Sequence, residues 1–331
     1  MNERILWADH AKGLGILLIF TAHFFIEELG KTHFLVQLLT IGCLPVFYFT
    51  SGYFCTGDFE CKRWLKHHVF TLLLPYFVAS IAFWFLDCMQ HEANLTNRFI
   101  GIFLQLPNTQ WEGNRWFFPS FFLSKLVFDF TASRYRNNDP ALIAICIGCA
   151  AVAWVYALLE GPRLPWNLEA AFLAQPFFVW GFGWKSGMEQ RFNSLAKWKK
   201  GFVVVAVFVA GIVFAVLNQR LGGKSLDFHT RELNEFFSAY GASFCALFLV
   251  VQISEKNCGK LIAFIGRNSL VYYLYGGLCG AVISRILGVL GLNHWAVRYL
   301  IGIVGLAMLG VPIAYGLNHY FPWSTGKQRF Q

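Results

Sequence analysis

Long apolar runs, separated by short polar connections, dominate the hydrophobic pattern of this chain. Most of these runs reach or approach the length that an α-helix needs to cross a bilayer. They predict ten spans, at residues 11–27, 35–54, 69–89, 115–132, 141–159, 170–187, 201–218, 237–253, 268–288 and 297–318. A shorter apolar piece at 98–106 predicts an interfacial or re-entrant helix. The expected fold class is therefore all-α, a polytopic helical membrane protein, with residues 1–331 forming a single domain.

Composition agrees with this pattern, since 56% of the residues are hydrophobic and only 14% are charged. A soluble domain carries nearer a quarter of charged residues. The net charge of +9 fits lysines and arginines in cytoplasmic connections, and their distribution predicts that both termini are cytoplasmic. No basic run in a soluble segment is interleaved with stacking aromatic residues, so nucleic-acid binding is not expected.

The first predicted span carries a polar face. Asp9, Lys12, His23 and Glu27 fall within about 60° of one another on a helix that turns 100° per residue. Ionisable groups inside a membrane segment are costly and therefore indicate a functional site. His23 is a candidate general base, and Glu27, one turn further on, is placed to orient its ring. The alternative is a histidine that is hydrogen-bonded between packed helices.

Other polar groups have both a functional and a structural interpretation. The basic segment 61–68 can bind phosphates or anionic lipid, or it can simply mark the cytoplasmic face. Lys125 and Asp129, one turn apart, are interpreted as a structural pair or as side chains that snorkel towards the interface. Cys146 and Cys149 lie in the middle of a span without a second pair, and packing rather than metal binding is expected of them.

Aromatic and polar residues gather at the outer end of the fourth predicted span. They are Trp111, Glu112, Asn114, Arg115 and Trp116. Flat aromatic faces beside polar groups suit a sugar ring. Tryptophans at the membrane interface are also the ordinary aromatic belt, so both interpretations stay open.

Six short blocks stand in order along the chain. They are Asp9-x-x-Lys12-Gly13 with His23, Pro45 to Ser51-Gly52-Tyr53-Phe54, Arg63-x-x-Lys66 leading to Leu74-Pro75-Tyr76, Trp116-Phe117-Phe118, Gly266-Arg267-Asn268-Ser269-Leu270-Val271-Tyr272, and the segment at Pro322. Together they resemble the acyltransferase 3 family, polytopic membrane enzymes that O-acylate sugars and polysaccharides. The chain resembles most closely the sugar O-acetylase branch of that family.

The resemblance implies a cytoplasmic acyl-CoA donor, usually acetyl-CoA, and an acceptor hydroxyl at the outer face. His23 stands at the family's catalytic histidine, and Lys12 at its first-helix Arg or Lys. Arg63 and Lys66 match the basic pair that is thought to handle CoA. One departure is Tyr275, where many members have a second histidine.

We therefore expect an integral-membrane O-acyltransferase of a bacterial inner membrane that moves an acetyl or other short acyl group to an envelope sugar or polysaccharide. The predicted site has a catalytic set, in which Glu27 or Asp9 orients His23, a donor-binding set, a substrate-binding set and no metal. These sets are His23, Glu27 and Asp9; Lys12, Arg63 and Lys66; and Arg115, Trp116, Ser51, Tyr53, Asn268, Ser269 and Tyr275. The alternatives are a proton-coupled transporter or flippase and a non-catalytic membrane partner that does not bind CoA.

Overall fold

The computed structural model describes residues 5–29, 41–90, 94–106, 114–220, 233–292 and 294–327, and every regular element in these ranges is helical. The α-helices are α1 Leu6–Leu29, α2 Pro45–Tyr53, α3 Cys61–His68, α4 Leu74–Met89, α5 Leu95–Leu104, α6 Phe117–Arg134, α7 Asp139–Leu158, α8 Leu168–Leu173, α9 Gln175–Gly183, α10 Glu189–Asn193, α11 Lys197–Arg220, α12 Leu233–Ser254, α13 Lys260–Arg267, α14 Ser269–Val289 and α15 Trp295–Tyr320. Single π-helical turns lie at Val69–Leu73 and Trp184–Met188, and 3-10 turns at Asn114–Trp116, Pro165–Asn167 and Pro322–Thr325.

Six helical segments in the described residues are long and apolar enough to cross a membrane. They are Cys61–Met89, Asp139–Leu158, Lys197–Asn218, Leu233–Ser254, Ser269–Val289 and Ala296–Tyr320. Each overlaps one of the ten predicted spans. The total of ten and the cytoplasmic location of the termini are not confirmed and stay predictions.

The other four predicted spans also contain helices, but these helices are not among the six segments just named. The span at 11–27 lies within the continuous helix α1, and the one at 115–132 largely coincides with α6. Residues 35–40 lie outside the described residues, so only α2 represents the span at 35–54. The span at 170–187 is divided at Ala174 into α8 and α9.

Pro176 explains the division of the span at 170–187. A proline has no N–H to donate to the carbonyl four residues earlier, here that of Phe172. Beside this break the Gln175 side chain donates from Nε2 to the Ala171 carbonyl at 2.8 Å and to the Ser124 carbonyl at 3.0 Å. The side chain of Gln175 therefore ties the interrupted helix to α6.

The chain divides into two compact units. Unit 1 contains Met1–Phe54 and Phe177–Pro312, and unit 2 contains Cys55–Pro176 and Ile313–Gln331. The single domain expected over residues 1–331 stays a prediction.

Backbone-to-backbone contact joins α1 to α13 within unit 1. A Cβ atom on Gly13 would overlap the carbonyl oxygen of Ile262, and one on Gly266 would overlap the carbonyl oxygen of Asp9. Only glycine permits this approach from both sides. Small residues bring helices together in membranes in the same way, because helices in lipid are held by close packing.

A second crossing of the same kind joins α2 to α9. A Cβ atom on Gly52 would overlap the Phe178 carbonyl oxygen, and one on Gly181 would overlap the Phe49 carbonyl oxygen. Phe49 and Phe178 are fully buried beside these glycines. Gly13, Gly52 and Gly266 all belong to the sequence blocks identified above, so these block positions have a packing role.

The chain turns sharply between α13 and α14. Ile262 lies beside Gly13 and Gly266 beside Asp9, so α13 runs opposite to α1 where they touch. Gly276 then lies against the Phe20 ring, so α14 leads back in the direction of α1. The Tyr272 hydroxyl donates to the Ala307 carbonyl at 2.9 Å and holds α14 against α15.

Unit 2 has its own core, and α5 belongs to it. Trp64, Leu73 and Phe122 form a buried cluster in this unit. The apolar piece predicted at 98–106 is the helix α5, which ends at Gln105 in the left-handed conformation. The Tyr76 hydroxyl donates to the Ile102 carbonyl at 2.6 Å, so the end of α5 is fixed to α4.

Substitution of Gly13 or Gly266 by alanine tests the crossing of α1 and α13. Each new methyl group would force two backbones apart, and overpacking of this kind costs about 1–3 kcal/mol. We expect a clearly lower thermal unfolding temperature for the purified protein in detergent.

Gly288→Ala in α14 is the matched control, because no heavy atom lies within 4 Å of the added Cβ. Alanine is also the better helix former, so this variant should unfold at the wild-type temperature or slightly above it. Equal losses in all three variants would contradict the role of the crossing.

Candidate active site

The polar face predicted for the first span lies on the single continuous helix α1. Asp9 is 4% exposed, and its Oδ1 atom lies 3.4 Å from the Lys12 Nζ atom. His23 follows on the same face and is partly buried. The helix therefore carries an ion pair near its beginning and an imidazole further along.

The continuity of α1 corrects one part of the expected geometry. Fourteen residues of helix separate Asp9 from His23 by about 21 Å. A carboxylate cannot reach the imidazole over that distance, so Asp9 is the partner of Lys12 and does not orient His23. The Glu27 backbone belongs to α1, but its side chain lies outside the described residues, and its orienting role stays a prediction.

The turn between α13 and α14 carries Asn268, which the sequence predicted to bind substrate. The close approach of Gly266 to Asp9 places this turn beside the first turns of α1. Asn268 is 4% exposed and donates from Nδ2 to the Phe264 carbonyl at 2.8 Å. Its side chain thus closes the end of α13, while Ser269 begins α14.

Tyr275, in the position where many members of the resembled family have a second histidine, lies on α14 one turn beyond Tyr272. Its side chain is partly buried. Tyr272 itself is 2% exposed and bonds to α15, so the two tyrosines belong to different environments. A substrate role for Tyr275 stays a prediction.

Tyr53 and Ser51 flank the crossing glycine Gly52 at the end of α2. The Tyr53 hydroxyl donates to the Glu189 Oε2 atom at 3.1 Å, and the Trp7 ring lies edge-on at 4.9 Å from the Tyr53 ring. Tyr53 therefore links α2 with α10, and Ser51 is partly buried beside it.

A further carboxyl group, Glu255, lies close enough to Glu189 for their charges to interact. Burial and the negative charge of Glu189 raise the pKa of Glu255, and the charge of Lys200 partly offsets the rise. Two acidic groups, Glu189 and Glu255, thus lie near Tyr53 in unit 1.

Arg63 and Lys66 line a large open cavity within unit 2. Its volume is about 1620 Å³. The walls come from the segment 56–60, helix α3, the first π-helical turn, the end of α6 and the residues Gly326 and Lys327. Gly326, at a φ of 67°, packs against Thr71 of the π-helical turn and so brings the C-terminal segment to the cavity.

The cavity is strongly basic. Its cationic and imidazole side chains are Arg63, Lys66, Arg134, Arg136, Lys327, His67 and His68, against the two acids Asp58 and Glu60. Among the described residues, neither Arg63 nor Lys66 forms an ion pair, while Arg136 meets Asp58 at 3.1 Å in an exposed pair. An anionic ligand would therefore be attracted to this cavity.

A buried network fixes the cavity wall that carries Arg63 and Lys66. Asp129 Oδ2 accepts a hydrogen bond from Trp64 Nε1 at 2.7 Å and lies 2.8 Å from Lys125 Nζ. This confirms the pairing of Lys125 with Asp129 that the sequence predicted. The His68 ring stacks on Trp64 with 4.1 Å between ring centroids. Helix α3 is therefore anchored to α6 through its one buried side chain, Trp64.

Sequence reasoning assigned no site role to Arg134 and Arg136. It treated both as ordinary charges of a cytoplasmic connection. The structure places them in the lining of the same cavity as Arg63 and Lys66. The available signal was that both follow a predicted span whose end should lie at the same membrane face as the basic segment 61–68.

Arg115 and Trp116 lie in unit 2 at the other end of α6. The Arg115 guanidinium lies 3.8 Å from the centre of the Phe83 ring. Nineteen residues of mostly helical chain separate Arg115 from Arg134, a rise of about 29 Å. The structure thus does not bring Arg115 and Trp116 to Arg63 and Lys66. Trp111 and Glu112 lie outside the described residues.

Comparison with known proteins identifies the class to which these features belong. A family described as an acyltransferase domain, acyltransferase 3, matches residues 5–319 of the chain. The chain therefore belongs to the acyltransferase 3 family of membrane acyltransferases, and the resemblance to that family inferred from the sequence blocks is confirmed. Its place in the sugar O-acetylase branch stays a prediction. No curated protein and no solved structure gives a significant match.

Family membership supports an acyltransferase and gives no support to the transporter alternative. Among the described residues, no group of three or more His, Cys, Asp or Glu side chains is placed to hold a metal ion.

Asp129→Ala tests the network beneath the cavity wall. The variant leaves Lys125 and the Trp64 N–H without their buried acceptor, and breaking a buried pair in this way costs about 3–5 kcal/mol. We expect a large drop in unfolding temperature in detergent. Asp58→Ala, which breaks the exposed pair with Arg136, should cost less than about 1 kcal/mol. Similar losses in both variants would contradict the anchoring role of Asp129.

Proposed function

We propose that this protein is a membrane O-acyltransferase that moves an acetyl or other short acyl group from acyl-CoA to a hydroxyl of a cell-envelope sugar or polysaccharide. The observation that carries the proposal is the basic cavity of unit 2 in a chain of the acyltransferase 3 family. An acyl donor with phosphate groups matches the charge of that cavity, and CoA is such a donor.

The cavity also has the size and the chemical groups that a nucleotide-bearing donor needs. Small-molecule pockets commonly measure about 300–1,000 Å³, and this cavity is larger. Arg63 offers a planar guanidinium that can bind two phosphate oxygens, and Lys66 adds a second charge. Phe70 and Phe130 supply apolar ring faces in the same cavity.

His23 is the proposed general base. Its imidazole takes the proton of the acceptor hydroxyl while the hydroxyl oxygen attacks the thioester carbonyl. The carbon–sulfur bond breaks, an oxygen ester forms, and the CoA thiolate takes up a proton. Glu27 is proposed to orient His23. The same chemistry can run directly or through a covalent acyl intermediate.

Lys12 is proposed to assist the donor, with Asp9 as its positioning partner. The 3.4 Å pair supports this assignment, since a buried carboxylate holds the ammonium group in one place. Lys12 stays 27% exposed, so a ligand can approach its ammonium group.

The acceptor is proposed to bind at the outer face of a bacterial inner membrane. Arg115 and Trp116 are its proposed contacts, and they lie about 29 Å along α6 from Arg134 at the cavity. That distance is close to the thickness of the hydrocarbon layer, so donor and acceptor contacts can face opposite sides of a membrane. Ser51, Tyr53, Asn268, Ser269 and Tyr275 complete the proposed substrate-binding set.

Replacement of His23 tests the proposed base. His23→Gln keeps a polar side chain of similar reach but cannot take up a proton, and loss of a general base commonly costs about 10²–10⁴-fold in rate. Acetyl-CoA-dependent CoA release by purified protein with envelope glycans should fall by that factor. His319→Ala, at an exposed histidine near the end of α15, should release CoA at the wild-type rate. Normal release by His23→Gln would remove His23 from the mechanism.

The double variant Arg63→Gln and Lys66→Gln tests the donor cavity. Loss of two charge-assisted contacts should raise KM for acetyl-CoA by about tenfold or more. KM for the glycan should stay unchanged, because the acceptor does not contact this wall. Arg285→Gln, at an exposed arginine of α14, serves as the control. An unchanged KM for acetyl-CoA in the double variant would show that the donor binds elsewhere.

A further inference from the structure

Basic side chains from two different elements line the cavity of unit 2. Arg63 and Lys66 stand on α3, whereas Arg134 ends α6 and Arg136 follows it closely. We refer to them as the α3 wall and the α6 wall. Phe130 of α6 lines the same cavity.

We propose that the α6 wall, through Arg134 and Arg136, binds the 3′-phosphate of the CoA adenosine and makes the protein discriminate CoA from 3′-dephospho-CoA. This inference rests on the proposed function, because it assumes that the cavity receives acyl-CoA.

Charge balance supports this division of the cavity. The diphosphate of CoA carries two negative charges, which Arg63 and Lys66 together offset. A phosphate monoester adds about 1.5 to 2 negative charges at neutral pH. Arg134 and Arg136 supply the matching two positive charges on the α6 wall, and their guanidinium groups suit the bidentate recognition of a terminal phosphate.

The acids of the cavity do not prevent this binding. Asp58 pairs with Arg136, but the two side chains are 76% and 57% exposed, so the pair contributes little and a phosphate can replace it at small cost. The end of α6 carries about half a negative charge from its dipole. The two arginines exceed that charge and leave the wall positive.

Aromatic rings line the cavity as well. The Arg134 guanidinium lies 5.7 Å from the centre of the Phe130 ring, which holds the cation beside an apolar face. An adenine ring stacked at Phe130 would place its own ribose next to the α6 wall. Phe70 offers a second face from the π-helical turn beside α3.

The test measures binding of CoA and of 3′-dephospho-CoA to the full-length protein in nanodiscs of zwitterionic lipid. Wild type should bind CoA about tenfold or more tightly than 3′-dephospho-CoA, since one compound lacks a charge-assisted contact. The double variant Arg134→Gln and Arg136→Gln should bind both compounds equally, at the wild-type affinity for 3′-dephospho-CoA.

The double variant Arg63→Gln and Lys66→Gln provides the contrast, because it should weaken both compounds by the same factor and keep the preference for CoA. Arg191→Gln, at an exposed arginine of unit 1, should match wild type with both compounds. Both expectations separate a specific 3′-phosphate contact from a general loss of positive charge.

Four results would contradict the proposals, and they lead to three different conclusions. Equal binding of the two compounds by wild type, or an equal loss of both in the Arg134 and Arg136 variant, would overturn the 3′-phosphate assignment and leave the acyl-CoA donor intact. Absence of binding of either compound to wild type would overturn the donor itself. Displacement of both compounds by an anionic phospholipid at stoichiometric amounts would instead identify the cavity as a lipid headgroup site.

Discussion

The contact of two helix backbones at Gly13 and Gly266 is the constraint on which unit 1 depends. Helices in lipid gain nothing from excluding water, so their attraction comes from close packing over small residues. The contact fixes where α13 ends, and therefore where the turn at Asn268 lies relative to Asp9. The ion pair of Asp9 and Lys12 is thus held by packing that involves no charged group. Tyr272 then secures α14 against α15 through the hydrogen bond from its hydroxyl to the Ala307 carbonyl.

Unit 2 differs from unit 1, because its cavity wall is supported by a buried carboxylate instead of by contact between helix backbones. Asp129 accepts from Trp64 and pairs with Lys125, and Trp64 is the one side chain that α3 buries. The other side chains of α3 can then remain outside the core, so Arg63 and Lys66 are available to a ligand. Cations gathered in one cavity repel one another, and binding of an anion reduces this electrostatic repulsion.

The sequence predicted those parts of the structure that local pattern determines. Six long apolar helices and the short helix α5 follow from hydrophobic length, and the face shared by Asp9, Lys12 and His23 follows from helical period. The pairing of Lys125 with Asp129 follows from their spacing. The meeting of the α6 wall with α3 depends on how distant segments pack, and no spacing in the sequence encodes it. Asp9 shares the helix face of His23, but on a continuous helix their spacing of fourteen residues corresponds to about 21 Å, which excludes Asp9 as the group that orients His23.

The π-helical turn at Val69–Leu73 has a consequence for how one long helical segment serves two environments. Such a turn accommodates one additional residue, and one residue corresponds to about 100° of helix rotation. Side chains before and after it therefore point in directions that an uninterrupted helix could not combine. The charged side chains of α3 can therefore face water while the apolar side chains of α4 face lipid and the protein core. The helical segment remains continuous across the turn. One additional residue in the helix thus reorients its side chains between an aqueous and an apolar environment.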